Sequence, residues 1–109
     1  MKLSEHQQVF AQHIALLIQY AKAIGYEVTF GDAFRDPRVH GEYGVKKSYA
    51  SAKSEHKRRL AVDLNLFENG NYLGSTDDHE VLGAFWESLD ERNRWGGRWD
   101  DGNHYERSV

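Results

Sequence analysis

His56, Asp63, Asp101 and His104 are the residues of this chain whose types and spacing best fit a chemical task. His56 and Asp63 stand seven positions apart, and Asp101 precedes His104 by three. His56, Asp63 and His104 make a usable three-ligand set for Zn²⁺. That borderline ion accepts neutral imidazole and carboxylate oxygen, and in catalytic sites it keeps a fourth position for water. The chain has no cysteine, so disulfides and thiolate sites are excluded and any metal falls to His, Asp or Glu. Asp101 is the candidate base for a water whose pKa a metal lowers to about 7. Arg35, just ahead of a long loop, is the candidate cation for a developing oxyanion. The same spacings also fit Asp63 paired with neighbouring arginines and His104 at the surface, so spacing alone leaves both readings open.

Secondary structure must bring these residues together. Phe10, Ile14, Leu17, Ile18, Ala21 and Ile24 recur at helical spacing behind a Ser4–Gln7 capping-box pair. They predict a helix over 5–24 with one buried face, stopped at Gly25. The alternation at Val28 and Phe30 predicts a strand ending near Phe34. Residues 36–53 carry Pro37, Gly41 and Gly44 and no clear period. They read as a long loop of functional character, with room for a short helical turn. Leu60–Phe67 is a strand, with Val62, Leu64 and Leu66 on one face and Asp63 and Asn65 on the other. Asn69-Gly70 is a strong hairpin signal leading to a return strand at Tyr72–Gly74. Asp77 and Glu80 open a second helix whose apolar face is Val81, Leu82, Phe85, Trp86 and Leu89. Helices and short strands in this order predict an α+β fold, a single domain over 1–109 with a short antiparallel sheet packed on helices.

The remaining features narrow the function class. The 109 residues are 39% hydrophobic and 28% charged with net charge −3, which suits a globular protein with no general attraction to nucleic acid. The N-terminus "MKLSEHQQVF" has no apolar core of a secretory signal, and no run is long enough to span a bilayer. Lys57, Arg58 and Arg59 read as a solvated basic turn in preference to a contact for anionic wall polymers. His6, His13, His40 and His79 read as structural side chains. Trp95 and Trp99 fit a substrate groove and a core plug equally well.

Three stretches carry a family resemblance. "SEHKRRLAVD" resembles the S-x-H-x-x-G-x-A-x-D signature of zinc peptidases that cut peptidoglycan stem peptides. These are the D-Ala-D-Ala carboxypeptidases and dipeptidases and the L-alanyl-D-glutamate endopeptidases (VanX- and VanY-like, the LAS group). Ser54, His56, Ala61 and Asp63 match, while Arg59 stands where the family has Gly. "WGGRWDDGNHYE" resembles the second signature, mapping its acidic residue and last His onto Asp101 and His104, and looks most like the phage endolysin endopeptidase branch. "FGDAFRDP" resembles the strand that ends in the family's Arg, here Arg35.

The resemblance implies a hedgehog/DD-peptidase-like fold with zinc at the sheet, held by His56, Asp63 and His104. It implies Asp101 and Arg35 as catalytic residues, with Ser54, Trp95 and Trp99 binding substrate. The implied partner is a peptidoglycan stem peptide, with neither nucleic acid nor membrane insertion, and the implied chain is a monomer. An endolysin-like chain without a signal peptide would stay in the producing cell's cytoplasm and act on the wall after release. Two alternatives stand beside the endopeptidase reading: a D-Ala-D-Ala carboxypeptidase, and a wall-peptide-binding module without activity.

Overall fold

The helical period near the N-terminus is realised as α1, Leu3–Ala23, in the computed structural model, which describes residues 1–46 and 54–109. Phe10, Ile14, Leu17 and Ala21 form its buried stripe. The helix starts earlier than the Ser4–Gln7 pair suggests. Glu5 caps it by accepting the Lys2 backbone N–H at 2.9 Å, and Gln7 instead donates to the Arg58 carbonyl oxygen at 2.8 Å. Next come β1 (Glu27–Phe30), α2 (Pro37–His40), a 3₁₀ turn (Glu55–Arg58), β2 (Ala61–Glu68) and β3 (Asn71–Leu73). A second 3₁₀ turn (Asp77–His79) leads into α3 (Glu80–Leu89). The chain closes with β4 (Asn93–Trp95), a third 3₁₀ turn (Gly96–Trp99) and β5 (His104–Arg107). Residues 47–53 of the expected loop lie outside the described residues, and its earlier part includes the short helix α2.

β2 is the central strand of an antiparallel sheet with order β1-β2-β5-β4, and β3 also pairs with β2. Asn69 and Gly70 both adopt positive φ, as a tight two-residue hairpin turn requires. β1 ends at Phe30, short of Phe34. Beyond the Phe30↔Leu64 pair the chain is held by single bonds, Gly31 N–H to Asp63 O and Asp63 N–H to Asp32 O, both 2.8 Å. β4 and β5 are strands additional to those expected from the sequence.

The pleat of β2 divides the molecule. Val62, Leu64 and Leu66 face α1 and α3 in one core with Leu82, Trp86, Trp95 and Tyr105. A fully buried leucine such as Leu64 contributes about 1.5–3 kcal/mol. Asp63 faces the other way. β5 is fastened from behind by Arg107, whose Nε donates to His6 Nδ1 at 3.1 Å and whose Nη1 lies 3.2 Å from Asp90 Oδ2. Among the described residues no helix is long and apolar enough to cross a membrane.

The basic turn differs from the expected solvated one. Lys57 is only 6% exposed. Its ammonium donates to the carbonyl oxygens of Val45 (2.6 Å), His40 (2.9 Å) and Glu42 (3.4 Å), which compensates for lost hydration and ties the α2 region to the 3₁₀ turn. Arg58 pairs with Glu55 at 2.8 Å. Arg59 caps the turn in the left-handed region, φ 57°, with its guanidinium 4.0 Å from the Phe34 ring centroid. That conformation explains a family preference for Gly there, and shows that Arg sustains it. Arg59→Gly should change stability by less than about 0.5 kcal/mol, because relief of left-handed strain offsets the lost cation–π contact. Arg59→Val should cost about 1–2 kcal/mol, since a β-branched residue resists this φ. Urea denaturation of the two variants checks the difference.

Candidate metal centre and active site

Sheet register sets the first two groups of the site. Asp63 on β2 and His104 on β5 are cross-strand partners, so their side chains share the face opposite the core. His56 arrives from the 3₁₀ turn before β2. Ser54 caps that turn, its Oγ accepting the His56 backbone N–H at 3.2 Å. The Arg35 backbone N–H donates to His56 O at 3.2 Å, holding the turn against the chain after β1.

These elements bring His56, Asp63 and His104 together, as expected, into a group that could hold a metal ion, with their ligand atoms all within 4.8 Å of one another. His56 Nε2 lies 3.2 Å and His104 Nδ1 3.3 Å from Asp63 Oδ1. Ligands about 2.0–2.1 Å from a tetrahedral zinc stand about 3.3 Å apart, so the spacing fits. The His56 ring gives a second test. It is 1% exposed, yet neither of its nitrogens has a hydrogen-bond partner among the described residues. Its approach to Asp63 is short but off the angle of a hydrogen bond. A buried, unpaired imidazole nitrogen aimed at a carboxylate is costly unless a cation is shared between them.

The electrostatics agree. Burial would raise the Asp63 pKa, but the hydrogen bond from His104 and the close approach of both the His104 and His56 rings win and hold it far below the usual carboxylate range. Burial would lower the His104 pKa, but its bonds to Asp63 and Glu106 win and raise it to about 9. Asp101 Oδ2 stands 3.9 Å from His104 Nδ1, and its side chain is 51% exposed. Burial of the remainder raises the Asp101 pKa, with Asp63 adding to the rise and His104, His56 and Arg35 opposing it.

A cavity of about 370 Å³ opens over these groups, lined by Arg35, Ser54, His56, Asp101, His104 and Glu106, with Trp99 and Arg94 at its rim. Arg35 is fixed by two acceptors, Asp32 Oδ2 at 3.2 Å from Nε and Ser54 Oγ at 3.0 Å from Nη1. Trp99 lies beside His104, ring centroids 5.6 Å apart. Trp95 does not line this cavity, which corrects its expected place in the substrate groove. It lies on the core face of β4, and its Nε1–H donates to Gly102 O at 2.7 Å, fastening the loop that carries Asp101. Gly96 has a related part. A Cβ there would lie 2.6 Å from His104 Cβ and closer still to the Asp101 carbonyl oxygen, so only Gly lets the third 3₁₀ turn approach.

His6, His13 and His79 contact Arg107, Asn93 and Tyr105 and lie outside the cavity lining, as does His40. Two contacts escaped the sequence reading: Asp32 on Arg35, and Glu106 on His104, with Glu106 Oε1 2.7 Å from His104 Nε2. The His-x-Glu spacing on one strand face is the available signal for the second.

A peptidase family model described as D-alanyl-D-alanine carboxypeptidase matches residues 48–107, more than half of the chain. A search of curated proteins finds no match.

Zinc must displace the proton that the raised pKa of His104 keeps on the metal-free site at neutral pH. Apparent zinc affinity should therefore climb with pH, about tenfold per unit for one displaced proton, and level off above about pH 9. Calorimetric titration in buffers of different ionisation enthalpy reads both the slope and the proton released. A flat profile between pH 6 and 9 would contradict the assignment.

Proposed function

The chain belongs to the D-alanyl-D-alanine carboxypeptidase family of M15 peptidases, which are zinc enzymes, and on that premise we propose that it hydrolyses an amide bond in peptidoglycan stem peptides. The reading is carried by one observation: two of the three metal-ligating side chains, His56 and His104, line one cavity with a carboxylate and a doubly anchored guanidinium, and the third, Asp63, lies against both histidines. His56, Asp63 and His104 are the residues that would hold zinc. Bound there, zinc would supply Lewis-acid polarisation of the scissile carbonyl and a lower pKa for the attacking water.

The chain's own groups carry the rest. Water adds to the carbonyl carbon as its proton passes to Asp101, whose carboxylate lines the cavity on the Nδ1 side of His104. Asp101 returns the proton to the amine nitrogen as the C–N bond breaks. Arg35, held in orientation by Asp32 and Ser54, hydrogen-bonds the carbonyl oxygen as negative charge develops on it. Ser54 Oγ accepts from both Arg35 and His56, which leaves its own O–H to donate to substrate. Trp99 supplies an exposed apolar wall.

Within this class we favour the L-alanyl-D-glutamate bond. The support is the likeness of "WGGRW" to the endopeptidase branch and the position of Trp99 at the cavity rim. The D-Ala-D-Ala carboxypeptidase reading is favoured by the family description itself. Digestion of purified peptidoglycan with mass spectrometry of the new termini decides between them. New N-terminal glutamate supports the first, and released free D-alanine supports the second. No cleavage of either bond by zinc-loaded protein would leave a binding module.

Four substitutions test the roles. Asp101→Asn should keep fold and zinc and lose nearly all hydrolysis, because an amide cannot take the proton. Asp100→Asn should remain active, since Asp100 lies outside the cavity lining and accepts from Thr76 Oγ1 at 3.3 Å. Arg35→Ala should lower the rate about 10²–10³-fold with normal zinc content, and Arg35→Lys should rescue only part of it. Steady-state rates with parallel zinc analysis read all four variants.

A further inference from the structure

We infer that Glu106 is a positioning residue for the metal centre: its carboxylate accepts a proton-mediated bond from His104 Nε2 and so presents His104 Nδ1, unprotonated, to the metal. The inference rests on the metal-site reading above. Glu106 Oε1 is 2.7 Å from Nε2, while Nδ1, on the other edge of the same ring, is 3.3 Å from Asp63 Oδ1. An imidazole has one lone pair to offer when neutral, and its tautomer decides which nitrogen offers it. A carboxylate on Nε2 keeps the hydrogen there and leaves the lone pair on Nδ1.

Glu106 is itself held. It follows His104 by two residues on the same face of β5, its side chain is 12% exposed, and its backbone oxygen accepts Trp86 Nε1–H at 3.0 Å. Arg107, the next residue, is locked between His6 and Asp90. The carboxylate is therefore delivered from the packed interior of the sheet and not from a mobile loop. Glu106 also borders the cavity, which raises the question whether it is instead a base or a fourth ligand. Its placement answers this. It meets His104 at Nε2, whereas Asp63 and Asp101 both lie on the Nδ1 side. Carboxylate partners on the far nitrogen of a ligand histidine commonly raise its basicity and fix its orientation.

Glu106→Ala, Glu106→Gln and, as a control of equal charge change, Glu68→Ala at the exposed hairpin tip test this. Zinc affinity is measured by chelator competition, and ¹⁵N NMR of the zinc-loaded proteins reports which His104 nitrogen carries hydrogen. Glu106→Ala should weaken zinc binding 10–100-fold and lose the signature of a hydrogen-bonded Nε2–H, which stays on the ring but shifts in resonance and exchanges faster with water. Glu106→Gln, whose amide oxygen still accepts from Nε2–H, should keep the signature and recover most of the affinity. Glu68→Ala should match the wild type. Unchanged affinity and an unchanged signature in Glu106→Ala would overturn the inference while leaving the metal site standing. So would a Glu106→Gln variant as weak as Glu106→Ala. Failure of the wild type to bind zinc would overturn the metal-site reading and this inference with it.

Discussion

Asp63 places a carboxylate between two imidazoles on the central strand of a small sheet, and much of the architecture serves to make that arrangement tolerable. A carboxylate 3.2 and 3.3 Å from two ring nitrogens is stable when those rings are charged or when a cation is shared among them. Every neighbouring element bears on the geometry. β2 supplies the anchor through Val62, Leu64 and Leu66 on its reverse face, β5 supplies His104 by register, and the capped 3₁₀ turn supplies His56. Side chains two residues apart on a strand face the same way, so one apolar face and one chemical face arise from the same eight residues of β2.

Rigidity reaches the site from the core. Trp95 packs among apolar side chains and also holds Gly102, and Gly96 allows the third 3₁₀ turn to lie against His104 and Asp101. Arg107 joins β5 to the start of α1 and the end of α3. Asp101, the proposed base, is in contrast half exposed on the loop between that turn and β5. Two proposed ligands on strands, a third on a capped turn and the proposed base on a supported loop suit a reaction in which the metal ligands stay fixed and the proton carrier meets substrate.

Much of this was legible in the residues because it follows short-range rules. The helical period of α1, the alternation of β2 and the Asn69-Gly70 turn need no knowledge of distant partners. The ligand set was legible as a possibility from residue chemistry, and the family signatures turned it into an expectation. What escaped depends on contacts between remote segments. β4 and β5 are three and four residues long, and pairing with neighbouring strands defines them more than their own pattern does. Lys57 reads as a surface cation until three carbonyls from residues 40–45 surround it. Trp95 and Trp99 are alike in sequence context, and only the pleat of β4 sends one to the core while the 3₁₀ turn leaves the other at the cavity rim.

The proposed chemistry stands on a single metal ion joining His56, Asp63 and His104. Anomalous diffraction at the zinc edge, from a crystal of the zinc-loaded chain, tests it most directly. One peak per chain is expected, bonded to His56 Nε2, Asp63 Oδ1 and His104 Nδ1. A zinc peak held by other residues, by His104 Nε2, or absent from this group in a fully loaded crystal would contradict it.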